Sequence, residues 1–221
     1  TLETDEDDLI GGFRLKNGET VFELGPVVVA MIRGAVLLLD ELDLASPKIM
    51  CLQPILEGSA ITIKKLGITI QPSEGFTIFA TANTKGQGDE AGKFVGTSPL
   101  NEALLDRFPI TVEQEYPGVA VEKKILSKTF TCGGGTMTQK EEVFFDTLSR
   151  WSEAIRATYA QNAIDALIST RRLCHIIRTY LVLGLRDDLA LEYCTNRFDP
   201  KTRTAFMDLY NKLTPDAVEA A

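Results

Sequence analysis

The residues with the clearest chemical potential are two adjacent acids, Asp40 and Glu41, which directly follow a short apolar run at residues 35–39. An unalternated run of this length is typical of a strand buried on both faces of a parallel sheet. Ligands bind at the carboxyl ends of such strands, so both acids should lie in a ligand-binding crevice. There they suit nucleotide hydrolysis: Asp40 would hold Mg²⁺, usually through water, and Glu41 would orient and deprotonate the attacking water. The alternative is that residues 40–43 form only a solvated turn.

Three further polar residues could complete such a site. A second apolar run, residues 76–80, leads to Asn83, whose amide could position the same water or the γ-phosphate, although asparagine also favours turns and caps. Arg107 ends a predicted helix and could be an arginine finger for a neighbouring subunit, or a cation that satisfies the helix dipole. Arg171 follows the predicted N-cap Ser169, where a bound phosphate would explain a cation; an ordinary surface arginine is the alternative.

The elements that would position these residues follow an α/β pattern up to about Pro117 and an almost entirely helical pattern beyond it. Residues 108–112 are a weaker candidate for a third strand. The alternation of helices and strands implies a layered sheet with right-handed crossovers. Cap and proline signals predict helices that start at Pro26, Ser46-Pro47 and Ser98-Pro99.

Two predicted β-hairpins interrupt this scheme. Residues 13–22 are centred on Asn17-Gly18, the strongest short hairpin signal. Residues 60–70 alternate around residues 64–67 and predict a second hairpin. A plain α/β domain requires neither of them.

The second part of the chain carries two sets of apolar residues at helical spacing, which predict core-facing stripes. The sets are Phe144, Leu148, Trp151 and Ile155, and Leu173, Ile176, Ile177, Tyr180 and Leu181. Between the helices, residues 131–139 contain three consecutive glycines and are expected to form a flexible loop.

Composition excludes several classes of function. The formal net charge of −8 disfavours nonspecific nucleic-acid binding as the main activity. No apolar run approaches the roughly 20 residues that cross a bilayer, and the acidic first eight residues are not a signal peptide. The four dispersed cysteines favour free thiols in the cytoplasm, and a single histidine excludes a histidine-rich metal site.

Taken in order, these segments resemble an AAA+ ATPase of the MoxR and dynein-related branch, and most closely the CobS-type AAA+ subunit of cobaltochelatases. The matching segments are residues 36–41 for the Walker B strand, 79–84 for the sensor-1 strand, 105–108 for the arginine-finger box and 169–171 for sensor 2. The similarity to this branch in particular lies in residues 8–12, 86–89 and 96–97. The resemblance implies an α/β fold: a partial AAA+ P-loop NTPase core over residues 1–117 and an α-helical lid domain over residues 118–221. In this branch the two hairpins correspond to the helix-2 insert and the pre-sensor-1 hairpin.

The same resemblance implies the chemistry and the partners. Glu41, Asn83 and Arg107 would be catalytic, while Asp40 and Arg171 would bind the cofactor, ATP, with Asp40 holding Mg²⁺. The protein would form a homo-oligomeric ring, a hexamer in this family, with hydrolysis at subunit interfaces. It would remodel a partner such as a chelatase component or a von Willebrand A-domain protein.

One expected element is missing from the sequence, the phosphate-binding loop G-x-x-x-x-G-K-[ST]. Residues 88–94 are a decoy: they have three residues between the glycines, Phe94 where a hydroxyl belongs, and a position after the Walker B strand. Family order places the loop before Thr1, so the chain by itself is expected to bind ATP weakly and not to hydrolyse it. Two alternatives remain open: a non-hydrolysing AAA+ interaction module and a DNA-associated AAA+ motor, the latter disfavoured by the acidity.

Overall fold

The computed structural model describes residues 4–88 and 96–214, so the decoy glycine segment lies almost wholly outside the described residues. The chain forms two units, Thr1–Val112 and Glu113–Ala221. The first unit mixes helices with strands, and the second is helical.

The first unit contains short strands joined by short helices. The strands are β1 (Gly11–Lys16), β2 (Glu19–Leu24), β3 (Val36–Leu39), β4 (Ile61–Ile63), β5 (Ile68–Ile70) and β6 (Thr77–Ala80). The α-helices are α1 (Glu6–Leu9), α2 (Pro26–Arg33), α3 (Gln53–Leu56) and α4 (Glu102–Leu105), and 3₁₀ turns occupy Leu42–Leu44 and Pro47–Leu52.

Strands β3 and β6 form the predicted parallel pair, with Leu37 opposite Ile78 and Leu39 opposite Ala80. The prediction that these strands are buried on both faces is wrong for the described part of the chain. Leu37 is buried, but Leu38 on the other face is 60% exposed. The reason is that the core of this unit, built on α2 and the residues around α3, covers only one face of the pair.

The predicted third strand is absent from the described residues, because residues 108–112 pair with no neighbour. Pro109 has no N–H to offer a ladder, and the side chains of Ile110 and Val112 are exposed. The described parallel sheet is therefore smaller than the sequence predicts.

Both predicted hairpins are confirmed. Strands β1 and β2 pair antiparallel around Asn17 and Gly18, whose φ values of 52° and 83° suit the left-handed positions of a type I′ turn. Strands β4 and β5 also pair antiparallel, and the hydroxyls of Thr62 and Thr69 meet across them at 3.0 Å.

The helix starts are confirmed in two of three cases. Pro26 is the first residue of α2, and Ser46 accepts a hydrogen bond from the Lys48 N–H at 3.3 Å, although the turns that follow are 3₁₀ before α3 begins. The third start is wrong: α4 is capped by Asn101, which accepts from the Ala103 N–H at 2.8 Å, and Ser98 lies upstream of the helix.

Up to residue 214, where its description ends, the second unit packs five helices around one apolar core. They are α5 (Val119–Cys132), α6 (Gln139–Ala160), α7 (Thr170–Val182), α8 (Asp187–Thr195) and α9 (Pro200–Leu213). Both predicted stripes face this core: all their residues are buried in it except Leu181, which is partly buried and packs against it. At its centre the Trp151 indole N–H donates to the Phe206 carbonyl at 2.7 Å, so a large buried ring also satisfies its polar atom.

The start of α6 is held by a buried carboxylate. Glu141 closes a capping box with Thr138 and accepts a hydrogen bond from the Tyr180 hydroxyl at 2.8 Å. Burial raises the pKa of Glu141, but the hydrogen bonds from Thr138 and Tyr180 outweigh it and hold the pKa below its ordinary value. The same contact and burial raise the pKa of Tyr180.

This arrangement predicts a pH-dependent contribution to stability. Because the pKa of Glu141 is lower in the folded state, its contribution is complete above the ordinary glutamate pKa and is lost as the pH falls through the folded-state value. We expect Glu141→Gln to lower the free energy of unfolding by about 1–3 kcal/mol at pH 7, and the difference from the unsubstituted chain to narrow below about pH 4. Urea unfolding followed by the fluorescence of Trp151, the only tryptophan in the sequence, measures both. The exposed neighbour Glu142→Gln is the control, and an equal difference at pH 7 and pH 3 would contradict the assignment.

Candidate functional site

The acids that follow β3 are tied to the end of β6 by one threonine. The Thr81 hydroxyl donates to Asp40 Oδ1 at 2.6 Å and accepts from the Glu41 N–H at 2.9 Å. The backbone continues the parallel ladder, since the Thr81 N–H donates to the Leu39 carbonyl at 2.9 Å. The ends of the two strands therefore form one connected polar edge.

Glu41 itself occupies a sparsely populated backbone region, with φ 54° and ψ 53°. A non-glycine residue pays a steric penalty in this left-handed conformation. The conformation is held from both sides, by the Glu41 N–H on the Thr81 hydroxyl and by the Leu42 N–H on the Thr81 carbonyl at 2.8 Å. The side chain of Glu41 is exposed and makes no hydrogen bond to any residue in the described ranges, so its carboxylate is free to act on a ligand.

A third acid, Asp43, connects the same turn to the loop after β6. Its side chain is fully buried, and its Oδ2 accepts from the Asn83 N–H at 2.8 Å and from both the N–H and the hydroxyl of Thr84 at 2.9 Å. The Asp43 carbonyl accepts from the Ser98 N–H at 3.0 Å. The burial and the hydrogen bonds of Asp43 show that this point of the chain is not merely a solvated turn.

Asn83 is exposed, and its side chain has no hydrogen-bond partner within residues 4–88 and 96–214. Its backbone N–H is held by Asp43, while its side-chain amide can still bind a ligand. The structure therefore brings Asp40, Glu41 and Asn83 to one edge of the parallel pair, as the sequence predicts for the carboxyl ends of adjacent strands.

Arg107 lies two residues beyond the end of α4 and forms an ion pair with Glu57. The distances from Glu57 Oε1 are 2.7 Å to Nε and 2.6 Å to Nη2, and Nη1 also donates to the Ala103 carbonyl. The guanidinium lines a cavity of about 550 Å³ together with Phe79 and Ala80 of β6. Because Glu57 is half exposed, this ion pair is worth little, about 0–1 kcal/mol, and Arg107 can exchange it for another anion.

Arg171 is the second residue of α7 in the helical unit. Ser169 caps this helix by accepting from the Arg172 N–H at 3.2 Å, as predicted, and the Thr170 hydroxyl donates to the buried carboxylate of Glu122 at 2.6 Å. The Arg171 side chain is exposed and has no ion-pair partner in the part of the chain that the structure describes. It is a first-turn cation with no described acid within 4.0 Å of its charged nitrogens.

The donor set at the strand ends fits a magnesium–nucleotide complex in part. Asp40 Oδ1 is engaged by Thr81, whereas Oδ2 has no partner among the described residues. No group of three or more His, Cys, Asp or Glu side chains within the described ranges is arranged to hold a metal ion. Proteins commonly bind Mg²⁺ by one or two carboxylates, with phosphates and waters as the remaining ligands, so Asp40 fits this role.

Two functional residues of this edge, Thr81 and Asp43, were not predicted as such. Thr81 looks like an ordinary strand residue in the sequence, and Asp43 like part of a solvated acidic turn. The available signals are a hydroxyl at the strand end and a single acid between two leucines, Leu42 and Leu44. Both signals are weak without the contact between segments 40 residues apart.

No helix in the described ranges is both long and apolar enough to cross a membrane.

Comparison with known proteins adds the family. Residues 1–108 match the AAA domain of the dynein-related subfamily. The chain is 31% identical over 173 residues to the aerobic cobaltochelatase subunit CobS of a Sinorhizobium species, an alignment that covers 74% of this chain and 50% of that protein. It is also similar to uncharacterized proteins of Staphylococcus aureus (28% identical) and Staphylococcus epidermidis (31% identical), each over 187 residues, or 80% of this chain and 65% and 66% of theirs.

The chain thus spans about half the length of the CobS relative and about two thirds of the staphylococcal ones. The family match ends at the residue after Arg107, so it includes the strand-end acids, Asn83 and Arg107 and leaves out Arg171. The chain contains an AAA domain of the dynein-related subfamily and is a distant relative of the cobaltochelatase subunit CobS.

Proposed function

We propose that the parent protein is an ATP-hydrolysing subunit of a ring-shaped motor that remodels a partner protein. The observation that carries this proposal is the connected edge of Asp40, Glu41 and Asn83, joined through Thr81 and Asp43 at the ends of two parallel strands. The family supports it, because AAA domains belong to an ATPase family. ATP and Mg²⁺ are the proposed cofactors.

Each residue has a separate role in this proposal. Asp40 holds the metal that accompanies the nucleotide, with its orientation fixed by the Thr81 hydroxyl. Glu41 accepts a proton from the attacking water, and the exposed amide of Asn83 orients that water or the γ-phosphate. Arg107 and Arg171 supply positive charge to the phosphates, Arg107 from a neighbouring subunit in the ring.

The choice of partner is motivated by the CobS relative, which is a subunit of an aerobic cobaltochelatase. We propose a chelatase component or a von Willebrand A-domain protein as the partner, acting with a homo-oligomeric ring such as a hexamer. The four free thiols of this chain support a reducing, cytoplasmic location.

The decisive experiment mixes two inactive variants of the full-length protein. Glu41→Gln removes the base and Arg107→Ala removes the finger, so each alone should lower ATP turnover by at least about 100-fold. In a mixed ring, an interface with a normal Glu41 from one subunit and a normal Arg107 from the next is complete. We therefore expect mixing to restore a substantial fraction of the turnover, measured as phosphate release against the mixing ratio.

Glu57→Gln is the matched control, because it breaks the ion pair of Arg107 without removing the guanidinium. Turnover should survive this change if Arg107 acts on phosphate. Assembly without any turnover in the unsubstituted protein would indicate a non-hydrolysing interaction module instead. Retention on DNA at physiological salt would favour a DNA-associated motor.

A further inference from the structure

Asp43 is the only fully buried acid among the described residues of the first unit, and its two oxygens are used unequally. Oδ2 accepts three hydrogen bonds, while Oδ1 has no hydrogen-bond partner among residues 4–88 and 96–214. An unpaired buried oxygen destabilises a fold, and each such group in a native protein requires an explanation. Stability alone does not explain why a carboxylate occupies this position.

The three donors identify what the carboxylate holds. Two of them are the consecutive backbone N–H groups of Asn83 and Thr84, and the third is the Thr84 hydroxyl. Consecutive N–H groups that point at one oxygen fix the peptide plane between them. The path of the loop at Asn83 is therefore set by a side chain on the turn that follows Glu41, 40 residues earlier in the chain.

The backbone of Asn83 is held by a hydrogen bond, but its side chain is not. The side chain is exposed and bonded to none of the described residues, so no other described contact aims its amide. Its direction depends on the backbone that Asp43 holds. Thr81 already fixes the two strand ends, and Asp43, which lies two residues after Glu41, extends that connection to the backbone of Asn83 itself. Asp43 therefore contributes the last fixed contact between the turn that carries Glu41 and the residue that carries the amide.

We infer that Asp43 is a positioning residue that places the Asn83 amide against the phosphate or water on which Glu41 acts. This inference rests on the proposed function, since it names the group that aligns the same site. Asp43 touches no nucleotide itself. Its effect on the reaction passes through Asn83, and that dependence separates it from a residue that only supports the fold.

A double-mutant cycle in the full-length protein tests the dependence. We expect Asp43→Ala to lower the ATP turnover number by about 100-fold, the effect of misplacing a reacting group by about 1 Å. Affinity for a non-hydrolysable ATP analogue should stay within about threefold, because Asp43 lies behind the binding groups. Asn83→Ala should have a similar effect, and the double variant should be no worse than either single one. A loss in the double variant equal to the product of the two single losses would overturn the inference.

Asp43→Asn is the matched variant if the alanine variant does not fold. Its carbonyl oxygen can accept the same three hydrogen bonds, although a neutral acceptor makes them weaker than a carboxylate does, so turnover should fall by less than about tenfold. Thr84→Val removes one donor of three and should lie between the unsubstituted protein and Asp43→Ala. A larger loss in Asp43→Asn than in Asn83→Ala would contradict positioning through Asn83.

Amide hydrogen exchange gives a readout that does not depend on activity. In Asp43→Ala, and to a smaller extent in Thr84→Val, a peptide covering residues 81–88 should lose protection, whereas peptides from α5 should not change. If the unsubstituted protein hydrolyses no ATP, the proposed function fails and exchange alone decides whether Asp43 holds this loop. Unchanged protection at residues 81–88 in the alanine variant would overturn the inference.

Discussion

Replacing Glu41 by glutamine in the full-length protein should lower the ATP turnover number by at least about 100-fold, the usual contribution of a general base. Glutamine keeps the size of the side chain, so the left-handed backbone at this position and its two hydrogen bonds to Thr81 should persist. What is lost is the ability to accept a proton. Phosphate release at saturating ATP measures the effect.

Nucleotide binding should survive the same substitution. The Glu41 carboxylate is bonded to none of the described residues, and Asp40 carries the proposed metal contact. Removing a negative charge beside the phosphates should leave the affinity for ATP equal or slightly higher. Glu74→Gln is the control, because it makes the same charge change at an exposed site elsewhere in the first unit. A turnover number that is unchanged, or a loss explained entirely by weaker binding, would remove Glu41 from the catalytic role.

The sequence predicts this part of the fold because its signals are local. An apolar run of four or five residues that leads to polar side chains indicates each parallel strand, and Asn17-Gly18 indicates the first hairpin through the backbone preference of the two residues alone. The third strand could not be predicted in the same way. Ile110 and Val112 favour extended structure, but a strand also needs a neighbour, and no described segment pairs with residues 108–112.

Helix caps show the same limit. Ser98 and Asn101 are both good N-cap residues, and the sequence does not decide between them. The structure uses Asn101. The Leu100 N–H, which a cap at Ser98 would bind, is bonded to the Gly86 carbonyl at 2.7 Å instead, a contact that the local sequence does not reveal.

For the candidate site, residue type was enough to predict the groups that face solvent but not the groups that hold them. Asp40, Glu41 and Asn83 could be found because acids and amides at strand ends are chemically conspicuous. Thr81 and Asp43 could not, since a threonine in a strand and an aspartate in a turn are both ordinary. Their roles come from hydrogen bonds between segments about 40 residues apart. The structure brings Asp40, Glu41 and Asn83 together, but the catalytic and binding roles of these three residues, like those of Arg107 and Arg171, stay predictions.

In the second unit, Glu122→Ala should lower the free energy of unfolding by about 3–5 kcal/mol, because it leaves the largely buried guanidinium of Arg156 without its partner and two hydroxyls without their acceptor. Glu122 is 1% exposed and accepts from Arg156 Nη2 at 2.8 Å and Nη1 at 3.2 Å, and from the hydroxyls of Ser152 and Thr170 at 2.6 Å each. All its lone pairs are used, as a buried charge requires. Trp151 lies next to Ser152 on the same helix, so its fluorescence reports unfolding at this site.

The control is Glu153→Ala, an exposed acid on the same helix that makes no hydrogen bond to a described residue; its loss should stay within about 0.5 kcal/mol. Arg156→Ala alone also removes the stacking of the guanidinium on Tyr116, 3.9 Å from the ring centre, and its bond to the Ile168 carbonyl. Each single variant also breaks the same ion pair, so the double variant should be less destabilised than the sum of the two single losses. Additive losses would show that Glu122 and Arg156 do not depend on each other.

The hydrogen bonds of Glu122 also include the start of α7. Thr170 is the first residue of that helix, and its hydroxyl donates a hydrogen bond to the Glu122 carboxylate. The carboxylate therefore helps to hold the first turn of α7, which carries Arg171. Thr170→Val removes only that hydroxyl, and we expect it to destabilise the unit by about 1.5–3 kcal/mol, the value of a hydrogen bond to a charged group. A loss near zero would mean that Ser169 alone holds the helix start. A loss in the expected range would show that the helix turn that carries the exposed Arg171 depends on Glu122, the most deeply buried charged residue among those described in this unit.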